Sequence, residues 1–158
     1  YEQPVYYVRG AVPEAEPMSV GLPFTLLIVD TGLPSPTKSL VSRVREGWQQ
    51  DRRRYEALFE RIGEIARGAR GRIEAGDVKP LGPLMDANHI LLARLGVSSS
   101  TLDRLADVAR DAGAWGAKLS GAGQGGNMLA LVDPATAEDI GRTLREAGAS
   151  CVIQTTVQ

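Results

Sequence analysis

The sequence predicts an α+β sandwich in which helices cover one face of a mostly antiparallel sheet. The predicted elements follow in the order strand, strand, a block of helices, strand, strand, helix and strand. A glycine-rich segment joins two successive strands as a hairpin would, and a helix–strand pair closes the chain. With 158 residues the chain has about the length of one domain, so we expect a single core.

The first part of the chain predicts two strands and their loops. β-Branched and aromatic residues at 5–8 predict a short strand, and the Pro- and Glu-rich stretch at 12–17 predicts a loop. The continuous apolar run at 24–29 is too short for a helix and predicts a buried strand. The turn-rich stretch at 30–37 then leads into a helix that begins at about Lys38.

Apolar residues next recur at every third or fourth position, which is typical of amphipathic helices. The predicted inner faces of four helices are Leu40, Val41, Val44 and Trp48; Tyr55, Leu58, Phe59, Ile62 and Ile65; Leu81, Leu84, Met85, Asn88, Leu92 and Leu95; and Leu102, Leu105 and Ala109. Pro80 permits the third helix to start. Serine oxygens at 98–100 cap the fourth helix, and Gly113 ends it.

The last part of the chain returns to the pattern of strands. Residues 114–120 and 127–132 are predicted strands on either side of the glycine cluster. We expect Asp133 to be an N-cap with Pro134 at the first helical position, and Gly148 to end that helix. Its predicted inner face is Ile140, Leu144 and Ala147, and a final strand at 151–157 follows.

The charge composition excludes several classes of partner. Lys and Arg total 18 against 19 Asp and Glu, so no overall field favours nucleic acid or anionic lipid. The basic run at 52–54 is interpreted as a solvated helix face. The longest apolar run, at 22–29, is too short to span a bilayer, so we expect no membrane partner.

The cysteine and histidine counts limit the chemistry further. One His and one Cys are too few for a zinc site, and we expect no metal site. A single Cys excludes an internal disulfide and favours a reducing compartment, which predicts a cytoplasmic protein. Cys151 itself is expected to be a small buried apolar residue.

The segment KLSGAGQGG at 118–126 is the strongest motif. Gly121, Gly123 and Gly126 satisfy G-x-G-x-x-G, but the dinucleotide-binding pattern needs a helix after it and a strand is predicted there. No Gly-Lys-Ser/Thr ends the cluster, so it is not a Walker A loop. A plain hairpin needs one or two glycines. Two interpretations stay open: a loop whose N–H groups line a concave surface, and a purely structural loop.

Three segments carry a resemblance to the GHMP family of small-molecule kinases. KLSGAGQGGNMLALV at 118–132 resembles the family's third motif, in which Lys-Leu-Ser/Thr-Gly-Ala-Gly-Gly-Gly-Gly precedes a buried strand. DTGLPSPTKSLVSRV at 30–44 is similar to the Pro-x-x-Thr segment of the mevalonate kinase branch. MDANHILLARLGVSSSTLDRL at 85–105 is similar to that branch's helix with Asp-x-Asn followed by Gln or His.

This resemblance implies a fold and a domain organisation. It covers residue 5 to the C-terminus and matches the C-terminal half of such a kinase, a ferredoxin-like sandwich with a four-stranded sheet and helices packed on one face. Residues 1–158 are then one C-terminal domain, in which 1–20 are a strand and loop remnant of the preceding domain. We expect the N-terminal domain, with the catalytic Asp and Lys, to lie outside this sequence.

The resemblance also implies an activity. Such kinases use ATP and Mg²⁺ to phosphorylate a hydroxyl group, here the 5-hydroxyl of mevalonate in isoprenoid biosynthesis. We expect the preceding domain to bind most of the ATP and Mg²⁺, no catalytic residue within these 158, and no activity of the chain alone. The expected partners are mevalonate or a related small substrate and the chain's own N-terminal domain. A homodimer is left open.

The resemblance assigns a phosphate-proximal loop and two substrate-binding residues. The loop is Ser120, Gly121, Ala122, Gly123, Gln124, Gly125 and Gly126, with the amides of Gly121, Ala122, Gly123, Gly125 and Gly126 as a rim of donors. A Cβ at Gly123 would push the phosphates or the opposing loop outward. Thr37 would hold the substrate, or else cap the helix that follows, and Lys38 would meet a carboxylate or phosphate, or else be solvated.

Other residues in these motifs receive structural expectations. Asn88 lies on the apolar stripe and is expected to hydrogen-bond backbone inside the fold, whereas no catalytic role is expected for His89. Lys118 should point away from the loop. Gln124 and Asn127 depart from the family pattern and leave phosphomevalonate kinases and mevalonate-pathway decarboxylases open. An alternative of another class is a stand-alone ligand-sensing module of ferredoxin-like form.

Overall fold

The structure is a computed structural model that describes residues 4–9 and 13–158. Two strands at the start, β1 (Val5–Arg9) and β2 (Pro13–Pro17), form a separate antiparallel sheet. The other elements, in chain order, are β3 (Phe24–Asp30), α1 (Thr37–Gln50), α2 (Arg52–Ala75), α3 (Leu81–Arg94), α4 (Ser100–Asp111), β4 (Gly116–Ser120), β5 (Asn127–Val132), α5 (Ala137–Glu146) and β6 (Cys151–Val157).

The loop predicted at 12–17 is wrong for residues 13–17, which form β2. Its two prolines stand at the ends of the strand, where a missing N–H group does little harm to the pairing with β1. Arg70 of α2 ties this small sheet to the rest of the molecule: its guanidinium lies 2.7 Å from the Glu16 carboxylate and 4.6 Å from the centre of the Tyr6 ring.

The main sheet has the strand order β4-β5-β3-β6, and every pairing is antiparallel. Leu27 in β3 lies opposite Ala130 in β5 and Gln154 in β6. Because side chains alternate along a strand, one face of β4, β5 and β3 is mainly apolar and packs against α4 and α5. This face is Leu27, Val29, Ala117, Leu119, Met128, Ala130 and Val132, and it meets Leu102, Leu105, Ile140 and Leu144. The predicted α+β fold with a four-stranded antiparallel sheet is confirmed.

Helix α3 lies along the outer edge of β4, with α2 packed against α3 and α1 against α2. At the start of β4 the two elements meet through backbone, since a Cβ on Gly82 would lie 1.9 Å from the carbonyl oxygen of Trp115, the residue before β4. A Cβ on Gly116 would lie 2.2 Å from the Gly82 carbonyl oxygen. Both positions therefore require glycine because two main chains approach each other closely.

The predicted caps are only partly correct. Ser99 caps α4 as expected, accepting the Leu102 N–H at 3.3 Å. Helix α5, however, begins at Ala137, so the predicted cap at Asp133 is wrong. The Asp133 carboxylate instead accepts the Ala135 N–H at 2.9 Å, in a turn before the helix.

Two predictions about exposure have opposite outcomes. The basic run at 52–54 is exposed, as predicted, and Asp51 accepts the Arg54 N–H at the start of α2. Cys151 was expected to be buried, but it is exposed because it begins β6 at the border of the sheet. Among the described residues, no helix has both the length and the apolar composition needed to cross a membrane.

Candidate functional site

The glycine loop, residues 121–126, joins β4 to β5 and packs against the turn between α3 and α4. Gly123 is buried there, and a Cβ on it would lie 1.9 Å from the Val97 carbonyl oxygen. The same carbonyl accepts the Gln124 N–H at 2.9 Å. The opposing loop expected at Gly123 is therefore the turn at Val97.

The other side of the glycine loop contacts the segment that follows β3. A Cβ on Gly125 would lie 2.6 Å from the Pro34 carbonyl oxygen. The Gly126 N–H donates to the Leu33 carbonyl at 2.8 Å, and the Ser35 hydroxyl donates to the Gly123 carbonyl at 2.7 Å. Small residues here let two neighbouring main chains hold the loop on both sides.

Several loop residues adopt a backbone conformation that favours glycine. The φ angle is +86° at Gly121, +93° at Gly123 and +70° at Gly126. Gln124, which replaces a glycine of the family pattern, also has a positive φ of 55°. A side chain in this region costs about 1–2 kcal/mol. The glycine cluster thus serves both close approach and positive φ.

Four amide groups of the loop are unused. Within the part of the chain that the structure describes, the N–H groups of Gly121, Ala122, Gly123 and Gly125 have no hydrogen-bond acceptor. The Gly126 N–H, which was expected in the donor rim, is occupied by the Leu33 carbonyl. Unpaired amides in consecutive turns are donors that an anion can accept.

The loop borders an open cleft. A cavity of about 260 Å³ lies beside it, lined by Leu40 and Val41 of α1, Val97, and Gly121 and Ala122 of the loop itself. Gly121 is exposed at this cleft. The first part of the loop is therefore reachable from outside, whereas Gly123 and Gly125 are buried.

Thr37 and Lys38 are brought to the same region. Helix α1 begins at Thr37, two residues after Ser35, whose hydroxyl binds the glycine loop. Both side chains are exposed. The alternative role of Thr37 as an N-cap is wrong, because Pro36 precedes the helix and no side chain caps it. The Thr37 hydroxyl has no hydrogen bond among the described residues, so it can meet a ligand.

Two side chains of α3 complete the hydrogen bonds of the edge strand β4 and so fix the start of the glycine loop. The Asp86 carboxylate accepts the Ala117 N–H at 2.9 Å, and His89 Nδ1 accepts the Leu119 N–H at 3.1 Å. We call this pair of contacts the α3–β4 clamp. An edge strand normally presents unpaired N–H groups, and here side chains three residues apart on one helix pair with them.

The clamp corrects the expectation for Asn88. The residue that bonds backbone inside the fold is His89, which is only 5% exposed, whereas Asn88 is half-buried with no side-chain hydrogen bond among the described residues. The sequence signal was the spacing of Gly82, Asp86 and His89, four and then three residues apart, which places them on one helix face. The apolar stripe alone had selected Asn88, one position before the residue that makes the backbone hydrogen bond.

The partners of His89 determine its protonation. Because Nδ1 accepts from Leu119, the ring proton lies on Nε2, which donates to the Asp103 carboxylate at 3.0 Å. Burial lowers the pKa of His89 below its ordinary value, although the Asp103 carboxylate opposes this. The histidine is therefore neutral. Sequence reasoning missed Asp103, as well as Arg110, which lies 3.0 Å from Asp86.

Comparisons with known proteins identify the family of this chain. Residues 55–150 match the family model described as GHMP kinases C terminal. The mevalonate kinase of Thermococcus sibiricus is 35% identical over 154 residues, which are 94% of this chain and 45% of that protein. The mevalonate kinase of Pyrococcus horikoshii is 36% identical over 149 residues, covering 91% and 43%.

A solved structure gives the same result at the level of the fold. The crystal structure of L. major mevalonate kinase in complex with R-mevalonate superposes with a TM-score of 0.92 and 31% identity, covering 98% of this chain and 48% of that one. The chain thus spans less than half the length of the relatives it matches. Since the model of the GHMP kinase C-terminal domain covers more than half of this chain, the chain belongs to the GHMP kinase family.

Proposed function

We propose that this chain is the C-terminal domain of an ATP-dependent mevalonate kinase, which phosphorylates the 5-hydroxyl of mevalonate in isoprenoid biosynthesis. One observation carries the proposal: the glycine loop has four unused amides, and two of them, those of Gly121 and Ala122, belong to residues that line an open cleft. The similarity to mevalonate kinases over nearly the whole chain supports this choice of substrate. The family match does not favour a stand-alone ligand-sensing module.

In this proposal the chain positions reactants and supplies no catalytic residue. Phosphoryl transfer depends mainly on positioning and on stabilising negative charge. The amides of Gly121, Ala122, Gly123 and Gly125 donate to the phosphates, within the proposed phosphate-proximal loop 120–126. The Thr37 hydroxyl orients the substrate, and the exposed Lys38 ammonium attracts its carboxylate or the phosphates.

ATP and Mg²⁺ are bound mainly by the N-terminal domain in this proposal. Among the described residues, no group of three or more His, Cys, Asp or Glu side chains is arranged to hold a metal ion. No step is assigned to the ion here. We also propose that residues 1–20 connect to that domain and that the protein is cytoplasmic, as its single free thiol suggests.

An ADP-release assay tests the proposed activity. The full-length gene product should release ADP with mevalonate, and residues 1–158 alone should not. A full-length protein that ignores mevalonate and uses 5-phosphomevalonate would show that the substrate is wrong while the family is right. Thr37→Ala should raise KM for mevalonate roughly two- to tenfold if one hydrogen bond to the substrate is lost. Thr37→Ser, which keeps the hydroxyl, is the matched control, and equal KM values in both variants would remove Thr37 from the site.

A further inference from the structure

A second cavity, of about 210 Å³, lies between α2, α3 and β4. Its walls are apolar side chains of the two helices, with two polar groups, Asn88 and Lys118, among them. These apolar residues are Ile62, Ile65, Ala66, Leu84 and Met85. No lining residue is shared with the cleft beside the glycine loop. The proposed kinase function makes no use of Asn88 or Lys118.

Lys118 is a cation without a carboxylate partner in the described part of the chain. Its Nζ donates one hydrogen bond, to the Leu119 carbonyl at 2.9 Å, and no Asp or Glu there forms a salt bridge with it. Burial lowers the pKa of Lys118. An ammonium among apolar side chains is costly unless an anion pairs with it. Two of its three N–H donors remain for such an anion.

Asn88 supplies a second unused donor at the same cavity. Its side chain has no hydrogen bond among the described residues, and none of their fully buried side-chain N or O atoms lacks a partner. The Asn88 amide is therefore in contact with open space, and the space beside it is this cavity. An ammonium and a carboxamide that both line an apolar cavity match the two oxygens and the hydrocarbon body of a carboxylic acid.

We propose that this cavity binds a small aliphatic monocarboxylate. Its carboxylate oxygens pair with Lys118 and Asn88, and its hydrocarbon body contacts Ile62, Ile65 and Met85. A cavity of about 210 Å³ suits a body of a few carbon atoms, and the apolar walls disfavour a second charge. The site is separate from the proposed phosphoryl-transfer site, so this proposal can be correct or wrong independently of the proposed kinase function.

Titration of residues 1–158 with isovalerate, followed by NMR, tests the proposal. We expect saturable shifts at Asn88 and Lys118, with Kd on the order of millimolar for so small a ligand. Lys118→Met keeps the aliphatic stem and removes the charge, and should weaken binding at least tenfold. Ala66→Leu fills the cavity without changing its charge and should weaken binding similarly. Lys79→Met, at a lysine outside the cavity, should bind isovalerate as the unmodified chain does.

A neutral ligand provides the test that needs no variant. Isovaleramide has the same shape as isovalerate but no charge, and it should bind at least tenfold more weakly. Equal binding of the two ligands, unchanged affinity in Lys118→Met or Ala66→Leu, or no saturable shift in the unmodified chain would each overturn the proposal.

Discussion

Gly123 shows how a single missing side chain sets the path of the glycine loop. It is buried, has a φ of +93°, and faces the Val97 carbonyl oxygen at a distance that leaves no room for a Cβ. Gly123→Ala should lower the free energy of unfolding by at least about 2 kcal/mol, from the strained φ and the overlap together. Chemical denaturation of residues 1–158 measures this.

Gly71 is the matched control, because the same substitution should raise the free energy of unfolding there instead of lowering it. It lies inside α2, and a Cβ on it would meet nothing within 4 Å. Gly71→Ala should raise stability by about 0.5–1 kcal/mol, since alanine loses less backbone entropy in a helix. Equal effects of the two substitutions would show that Gly123 is not constrained by its neighbours.

Gln124 carries the strain that its glycine neighbours avoid. Its φ of +55° is unfavourable for a side chain, so Gln124→Gly should stabilise the fold by roughly 0.5–1 kcal/mol after the extra entropy of glycine is subtracted. Thermal unfolding measures the change. A loss of stability would mean that the glutamine side chain makes a compensating contact. Gln124→Ala, which keeps the strain and removes the amide, distinguishes the two.

At the scale of elements, α3 and β4 act as one unit through the α3–β4 clamp. His89→Leu leaves the buried Leu119 N–H without an acceptor and should cost about 1–3 kcal/mol. His89→Asn retains an acceptor oxygen at the place of Nδ1 and should restore most of that loss. Hydrogen exchange at the Leu119 amide checks the mechanism: it should accelerate in His89→Leu and stay slow in His89→Asn. Fast exchange in the unmodified chain would contradict the clamp.

The same histidine makes the clamp sensitive to pH. Protonation would place a proton on Nδ1, facing the Leu119 N–H, so the folded state disfavours the charged ring. The charged groups facing His89 are Asp103, Asp107 and Arg110 of α4, with Arg94 on its own helix. Because burial lowers the pKa of His89 in the folded state, the unfolded chain binds the proton first as pH falls.

Stability should therefore fall as pH decreases below about 6.5, the ordinary pKa of histidine, and level off below the folded pKa of His89. His89→Asn cannot titrate in this range and should lack this part of the slope. The measurement is the difference in unfolding free energy between the two proteins over this pH window, which cancels the contribution of carboxylates that do not contact His89. A difference that does not change with pH would refute the predicted tautomer.

At the scale of the whole molecule, local pattern determined most of the fold. The apolar run at 24–29 was sufficient to predict β3, and the spacing of Leu102, Leu105 and Ala109 was sufficient to predict α4. In both elements the apolar residues pack into a single core. The strand at 13–17 was missed because its Pro and Glu residues have low strand propensity and only pairing with β1 stabilises them. Tertiary contacts outweighed propensity there.

The candidate site was predictable as a motif but not as a set of contacts. Sequence placed the loop at 120–126, but it could not show that Val97 and Leu33 would use the Gln124 and Gly126 amides, since both partners are distant in the chain. The same reason explains why His89 was overlooked. Its partners, Leu119 and Asp103, are brought to it only by the packing of β4 and α4 around α3.

The two edge strands of the main sheet, β4 and β6, differ in how their outer main-chain groups are paired. Side chains of α3 occupy the main-chain donors at the β4 border, whereas β6 forms the opposite border with no neighbouring strand among the described residues. The main sheet can consequently be extended by a further strand at only one of its two edges. An additional strand, whether from a second copy or from a misfolded chain, can be accommodated only beside β6, where the exposed Ile153 would be its first apolar contact.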